Sequence, residues 1–270
     1  MRGVRRRRHN LALPAWEFEP GGWAASRSMR GWDVDGVAAA AQARLPEFRA
    51  ALAGPTPLAA STEAALPVLS NPMMAQQEAM VLGDALLRAS RHRTELSVLD
   101  WGGGLGFSGL LARAIVPDDV ALEYHCREHS RLVAAGSRAV PEVRFWGTDD
   151  CFDRTYDLVM ASSSLQYAED WRSVVARFAE VATGFVLLTR VPVVEDHPAF
   201  VVSQRVPEYG TEYLGWVFNR GELLAGADEF GLRLAREFVL GYRPDVAGAP
   251  EQDETRAYLF EAAQFDGSVG

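Results

Sequence analysis

Apolar positions along the chain fall into two regimes. Up to about residue 93 they recur at helical spacing, predicting one helix over 34–53 and, after the breakers in GPTPLAAST, a second over about 76–91. From residue 94 short apolar runs alternate with helical stretches. The runs predict strands at 96–101 (LSVLDW), 120–126 (VALEYHC), 143–147 (VRFWG), 156–163 (YDLVMASS), 184–191 (GFVLLTRV), 232–240 (LRLAREFVL) and 256–263 (RAYLFEAA). Helices are predicted over 106–115, 130–138, 170–181 and 220–229. Strands joined by helices of this length form right-handed βαβ units. The fold class is therefore α/β: a doubly wound, mostly parallel, seven-stranded sheet of Rossmann-like type, with an N-terminal helical extension. The last two strands close it as an antiparallel hairpin. Three regions follow: a basic, structureless tail over 1–20, a helical cap over 21–93, and a sheet domain over 94–265. Residues 192–218 form an insertion too long for a turn and are expected to act as a lid.

Composition removes several function classes. All 27 basic residues are arginine, so Schiff-base lysine chemistry and a Walker P-loop are excluded. The formal charge is −9; without the five arginines of MRGVRRRRHN the remaining body carries about −14. An acidic body is the wrong surface for nucleic acid. No apolar run approaches a membrane span, so neither nucleic acid nor membrane is an expected partner. Cys126 and Cys151 do not form a CxxC pair and suit a reducing, cytoplasmic setting. The five histidines show no metal-ligand spacing, and no metal is expected.

The most informative stretch is VLDWGGGLGFSG (98–109), where five glycines follow the end of the first sheet strand. In a doubly wound sheet that position borders the ligand crevice. Glycines there let a ligand approach the backbone, and a helix start offers amide donors. Two spacings share the letters. Asp100-x-Gly102-x-Gly104-x-Gly106 is an acid followed by alternating glycines, suited to a cationic or amino-bearing ligand. Gly104-x-Gly106-x-x-Gly109 is a dinucleotide fingerprint, but it starts four residues beyond Asp100 rather than directly off the strand.

VLDWGGGLG resembles motif I of the class I S-adenosylmethionine-dependent methyltransferases, with Trp101 and Gly103 as this chain's own choices. The resemblance implies S-adenosylmethionine as cofactor and S-adenosylhomocysteine as product. It implies Asp100, Gly102, Gly104 and Gly106 around the cofactor, and Glu128 in CREHS on the ribose hydroxyls, with Glu123 as the alternative. Asp149 or Asp150 is implied near the adenine, and Ser162 and Ser163, within the stretch Ser162 to Tyr167, by the methionine moiety. SSSLQYAEDW, LLTRVPVV, SQRVPEYGTEYLGWVFNRGELL and the GWD near Trp32 resemble a narrower family of bacterial gene-cluster methyltransferases, from about Trp23 onward.

Methyl transfer needs an acceptor aligned with the methyl group and, for some acceptors, a base. Gln166, Tyr167, Arg190 and His197 are the candidate catalytic residues, His197 as base and Arg190 as a clamp on a substrate carboxylate or phosphate. Gln204, Tyr209, Tyr213, Trp216 and Asn219 are candidates for acceptor binding, with Glu195, Asp196 and Glu208 nearby. The expected partner is a small molecule, from specialised metabolism or glycan synthesis. Two other readings stay open: a catalytically silent binding protein of the same fold, and an NAD(P)-dependent oxidoreductase using Gly104, Gly106 and Gly109. The N-terminal helices either close the pocket or build a homodimer.

Overall fold

The computed structural model describes residues 15–24, 31–55 and 72–263. A short strand β1 (Ala15–Phe18) precedes helices α1 (Asp35–Ala53) and α2 (Pro72–Ala89). Then come β2 (Glu95–Trp101), α3 (Phe107–Ile115), β3 (Ala121–Arg127), α4 (Ser130–Ala139), β4 (Arg144–Trp146) and β5 (Tyr156–Ser162). After α5 (Trp171–Val181) the long strand β6 (Ala182–Val194) leads into β7 (Phe200–Val206) and β8 (Thr211–Asn219). The chain ends through α6 (Arg220–Glu229), β9 (Leu232–Leu240), β10 (Val246–Ala247) and β11 (Glu254–Ala262).

Seven strands form the expected sheet in the order β4-β3-β2-β5-β6-β11-β9. The first five are parallel, and β11 runs antiparallel to both β6 and β9. Both faces are covered at the centre of the sheet, which is why β2, β5 and β6 read as near-continuous apolar runs. Val98 packs into the core under α1, α2 and α3, while its neighbour Leu99 packs into the core with α5 and α6, and both are fully buried. Strand order reverses between β2 and β5, placing a crevice at their carboxyl ends.

Four further strands were not expected, and two of the expected regions are corrected by them. The segment 192–218, expected as an insertion without regular structure of its own, extends the sheet: the end of β6 pairs with β8 through Val193–Phe218 and Val194–Asn219, and β7 and β8 form an antiparallel hairpin. The tail over 1–20 is not structureless to its end. Residues 15–18 are β1, paired with β7 on one side and β10 on the other, while 1–14 lie outside the described residues. The sheet thereby extends past β6 toward the N-terminal segment. Among the described residues no helix is long and apolar enough to cross a membrane.

Candidate functional site

The glycine loop closes over Asp100 rather than presenting it. Asp100 is fully buried, its Oδ2 accepting a hydrogen bond from the Tyr124 hydroxyl at 2.8 Å. Burial pushes its pKa up to about 6, against the opposing pull of Tyr124, Arg190 and Ser108. A Cβ on Gly103 would lie 2.4 Å from Asp100 Oδ2 and 2.9 Å from Cys126 Sγ, so that glycine packs against the protein itself. Gly104 is different. Its φ is +62°, and nothing lies within 4 Å of where its Cβ would be.

That open space belongs to a cavity of about 330 Å3 at the crevice, within the range of small-molecule sites. Its walls come from the tips of four neighbouring strands: the loop 101–105 after β2, Arg127, Glu128 and His129 after β3, Ser162 to Ser164 after β5, and Arg190 on β6. Glu128 is buried, which raises its pKa. One carboxylate oxygen accepts from Gly104 N–H at 3.1 Å and the other from His129 N–H at 2.7 Å. A carboxylate offers about four acceptor positions, so capacity remains for two more donors on the cavity side.

Two backbone outliers mark the opposite end. Ser163 and Arg190 have φ of +53° and +56°, a region that costs a non-glycine residue roughly 1–3 kcal/mol. Between Leu188 and Val191, β6 holds one residue more than β11 does between Tyr258 and Arg256. Such a bulge re-aims a side chain, and here Arg190 reaches the cavity wall. Its Nη2 donates to the Ser162 carbonyl at 3.3 Å, and its Nε lies 3.8 Å from Glu78 Oε1 on α2. Gln166 is buried behind, donating to Ser163 Oγ at 3.0 Å. The Tyr167 hydroxyl donates to Gln204 Oε1 at 3.1 Å.

The N-terminal layer closes the cavity. Val37 and Ala41 of α1 line it, with Trp32 just before that helix and Tyr209 from the hairpin turn. The strap 31–35 is tied at both ends. Gly31 N–H donates to Glu212 O and the Thr211 hydroxyl donates to Gly31 O, while Arg131 on α4 pairs with Asp33 at 3.0 Å and Asp35 at 2.8 Å. Exposed ion pairs contribute little to stability. Arg131→Ala should therefore shift the melting temperature by less than about 2 °C, yet raise hydrogen exchange in residues 31–41 severalfold. Unchanged exchange there would show that the strap does not depend on these pairs.

Of the residues expected from sequence, Gly102, Gly104, Glu128, Ser162, Ser163, Tyr167, Arg190 and Tyr209 line this one cavity. The others lie elsewhere. Gly106 caps α3 and faces Phe145 and Val143. Asp149 and Asp150 sit on an exposed 3₁₀ turn, Asp149 paired with Arg127 at 3.0 Å. His197 stands in the β6–β7 connection, outside the lining of this cavity, with Nδ1 2.8 Å from the Pro198 carbonyl oxygen and its backbone N–H donating to Glu251. Trp216 donates to the Glu169 carbonyl, and Asn219 caps α6 and holds the Glu195 and His197 carbonyls. Gln204 and Tyr213 stand behind Tyr167 and Trp32. Glu123 pairs with Arg154 on the other side of the sheet edge. Sequence reasoning did not assign Trp32, Val37, Ala41, Arg127 or His129 to the site. Only the GWD stretch pointed toward Trp32.

By sequence, no family model and no curated protein matches the chain. Solved structures do match by shape. Magnesium protoporphyrin IX methyltransferase from Synechocystis PCC 6803, with bound S-adenosylmethionine, superposes with a TM-score of 0.50 at 13% identity, covering 85% of this chain and 98% of that one. The same enzyme with bound S-adenosylhomocysteine also gives 0.50 at 13%, covering 80% and 93%. A Galdieria sulphuraria protein carrying the name sarcosine dimethylglycine methyltransferase gives 0.51 at 13%, covering 83% and 99%. The fold is the Rossmann-like fold of these methyltransferases. At such identity the likeness speaks to architecture and leaves the chemistry to the site.

Proposed function

We propose that the protein transfers a methyl group from S-adenosylmethionine to a small-molecule acceptor, a specialised metabolite or glycan precursor. The observation that carries this reading is the pairing of Glu128 with Gly104 at the switch point: a buried carboxylate with spare acceptor capacity beside a backbone stretch kept open by a glycine. A vicinal diol such as a ribose supplies two hydroxyl donors to that carboxylate, and the loop leaves room for the rest of the cofactor. When bound, S-adenosylmethionine supplies an electrophilic methyl group on a sulfonium. The residues of this chain bind, orient and exclude water. Glu128 and the loop fix the nucleoside end. Ser162, Ser163 and Arg190 shape the far end, and α1 with Trp32 and Tyr209 covers the opening. Alignment and water exclusion alone supply a large part of the acceleration for an in-line displacement.

Thermal protection tests this reading. At a ligand concentration of 100 times Kd, S-adenosylhomocysteine should stabilise the wild type by about 2.7 kcal/mol, and Glu128→Ala should abolish that protection while folding normally. NADH should give none. Protection by NADH with none from S-adenosylhomocysteine would replace this function with hydride transfer.

A further inference from the structure

Resting on the function proposed above, the geometry points to the acceptor itself: a flat aromatic ring bearing a carboxylate, its ring held by Trp32, Tyr167 and Tyr209 and its anionic end by Arg190.

The cavity has two chemically distinct ends. Glu128 follows β3 and Arg190 lies in β6, with β2 and β5 between them, so three strand spacings separate the two by about 14 Å. With the nucleoside at Glu128, the β5–β6 end is left for the acceptor. That end is walled by aromatic rings fixed by one another. Trp32 stacks on Tyr213 at 4.1 Å and meets Tyr167 edge-on at 4.9 Å, while Tyr209 lies 6.0 Å away. Tyr167 is held further by Gln204 and by Tyr213 at 5.0 Å. Rings locked in place lose little entropy when a flat ligand packs on them. The Trp32 indole N–H is buried with no hydrogen-bond acceptor among the described residues, so a ligand oxygen there would satisfy a donor that otherwise costs stability.

Charge decides what the ring carries. Among the described residues lining the cavity, Glu128 is the single acid, and it lies at the other end. Arg190 stands at the acceptor end, re-aimed by the β6 bulge and braced by Glu78 and the Ser162 carbonyl. A guanidinium matches a carboxylate in two parallel hydrogen bonds and repels an ammonium group. Among the described residues lining this end there is no carboxylate or imidazole to remove a proton, and the Tyr167 hydroxyl donates to Gln204. A carboxylate needs none removed. One carboxylate oxygen forms the new O–C bond with the methyl carbon, the methyl–sulfur bond breaks, and its electron pair stays on sulfur. Anion and sulfonium both become neutral, giving a methyl ester and a thioether with no proton transferred.

Calorimetric titration with 2-naphthoate, 2-naphthamide and 2-naphthylmethylammonium, in the presence and absence of S-adenosylhomocysteine, tests the assignment. The acid should bind at least tenfold more tightly than the amide, and the ammonium compound most weakly. The doubly substituted E78Q/R190Q protein, which removes both partners of the Arg190–Glu78 pair, should bind acid and amide equally, with its melting curve confirming that it folds. Trp32→Ala should weaken acid and amide alike. Equal binding of acid and amide by the wild type, no binding of either, a preference that survives in E78Q/R190Q, or tightest binding of the ammonium compound would each overturn the inference. If S-adenosylhomocysteine binds while the acid does not, the acceptor assignment fails alone. If the acid binds with Arg190-dependent preference while S-adenosylhomocysteine does not, the anion site stands and the methyl-transfer reading fails.

Discussion

Gly104→Asn is expected to leave the protein folded and to lower its affinity for S-adenosylhomocysteine at least 100-fold, whereas Gly103→Ala should do the reverse. Position 104 has positive φ, and asparagine is among the side chains that tolerate this region best. Its Cβ meets no protein atom within 4 Å, so the new side chain fills ligand space and disturbs nothing in the fold. At position 103 the backbone is unexceptional, and the obstacle is purely steric. A methyl group there would press on Asp100 and Cys126, both fully buried. Overpacking of this kind costs about 1–3 kcal/mol, equivalent to a fall in melting temperature of several degrees. The alanine variant should still bind ligand below its melting point. Melting curves and titrations on both proteins separate a glycine that serves a ligand from one that serves the core.

The second large effect is a pH dependence of stability centred on Asp100. Its pKa is about 6 when folded, well above the usual aspartate range, with burial as the leading cause. A raised acid binds more protons folded than unfolded, so stability is lost as pH rises from about 4 to about 6 and stays low above that. The full penalty is on the order of 3 kcal/mol, of which roughly half falls between pH 5 and 7.5. Buried Asp253 is raised to about 6 as well and adds a penalty of the same sign. His125, lowered mainly by burial, works in the opposite direction, favouring the fold as pH rises through its unfolded pKa. Asp100→Asn isolates one contribution. The stability of the variant relative to wild type should grow by about 1–2 kcal/mol between pH 5 and 7.5 in denaturant titrations. A difference that does not change with pH would place the Asp100 pKa near its ordinary value.

The elements that sequence reveals are those whose signal is local. The central strands are apolar runs because helices cover both faces, and α3, α4 and α5 carry a clear periodicity of their own. The β7–β8 hairpin lacks that clarity. Six of the seven β7 residues are buried, Ser203 and Gln204 among them, so the strand shows no alternation, and its polar and aromatic content reads as a lid. Strand β1 has four residues directly after a basic stretch, and its pairing partners β7 and β10 are nearly 200 residues away or more. Glu128 is legible because its position follows from a strand end. The place of Asp100 at the strand tip is legible for the same reason, but the fold of Gly103 over its carboxylate is set by tertiary contact. Trp32 lies far along the chain from Tyr167 and Tyr213, and nothing local announces that these rings will meet.

On the function proposed above, the cavity at the β2–β5 switch point is a cofactor site built on Gly104 and Glu128. Calorimetric titration of the wild type with S-adenosylhomocysteine, alongside Gly104→Asn, addresses it most directly. The expected result is one site per chain with micromolar affinity, lost in the variant while its melting curve stays close to wild type. A folded wild type that releases no heat and gains no stability with the ligand would contradict it, as would a Gly104→Asn protein that binds as tightly as wild type.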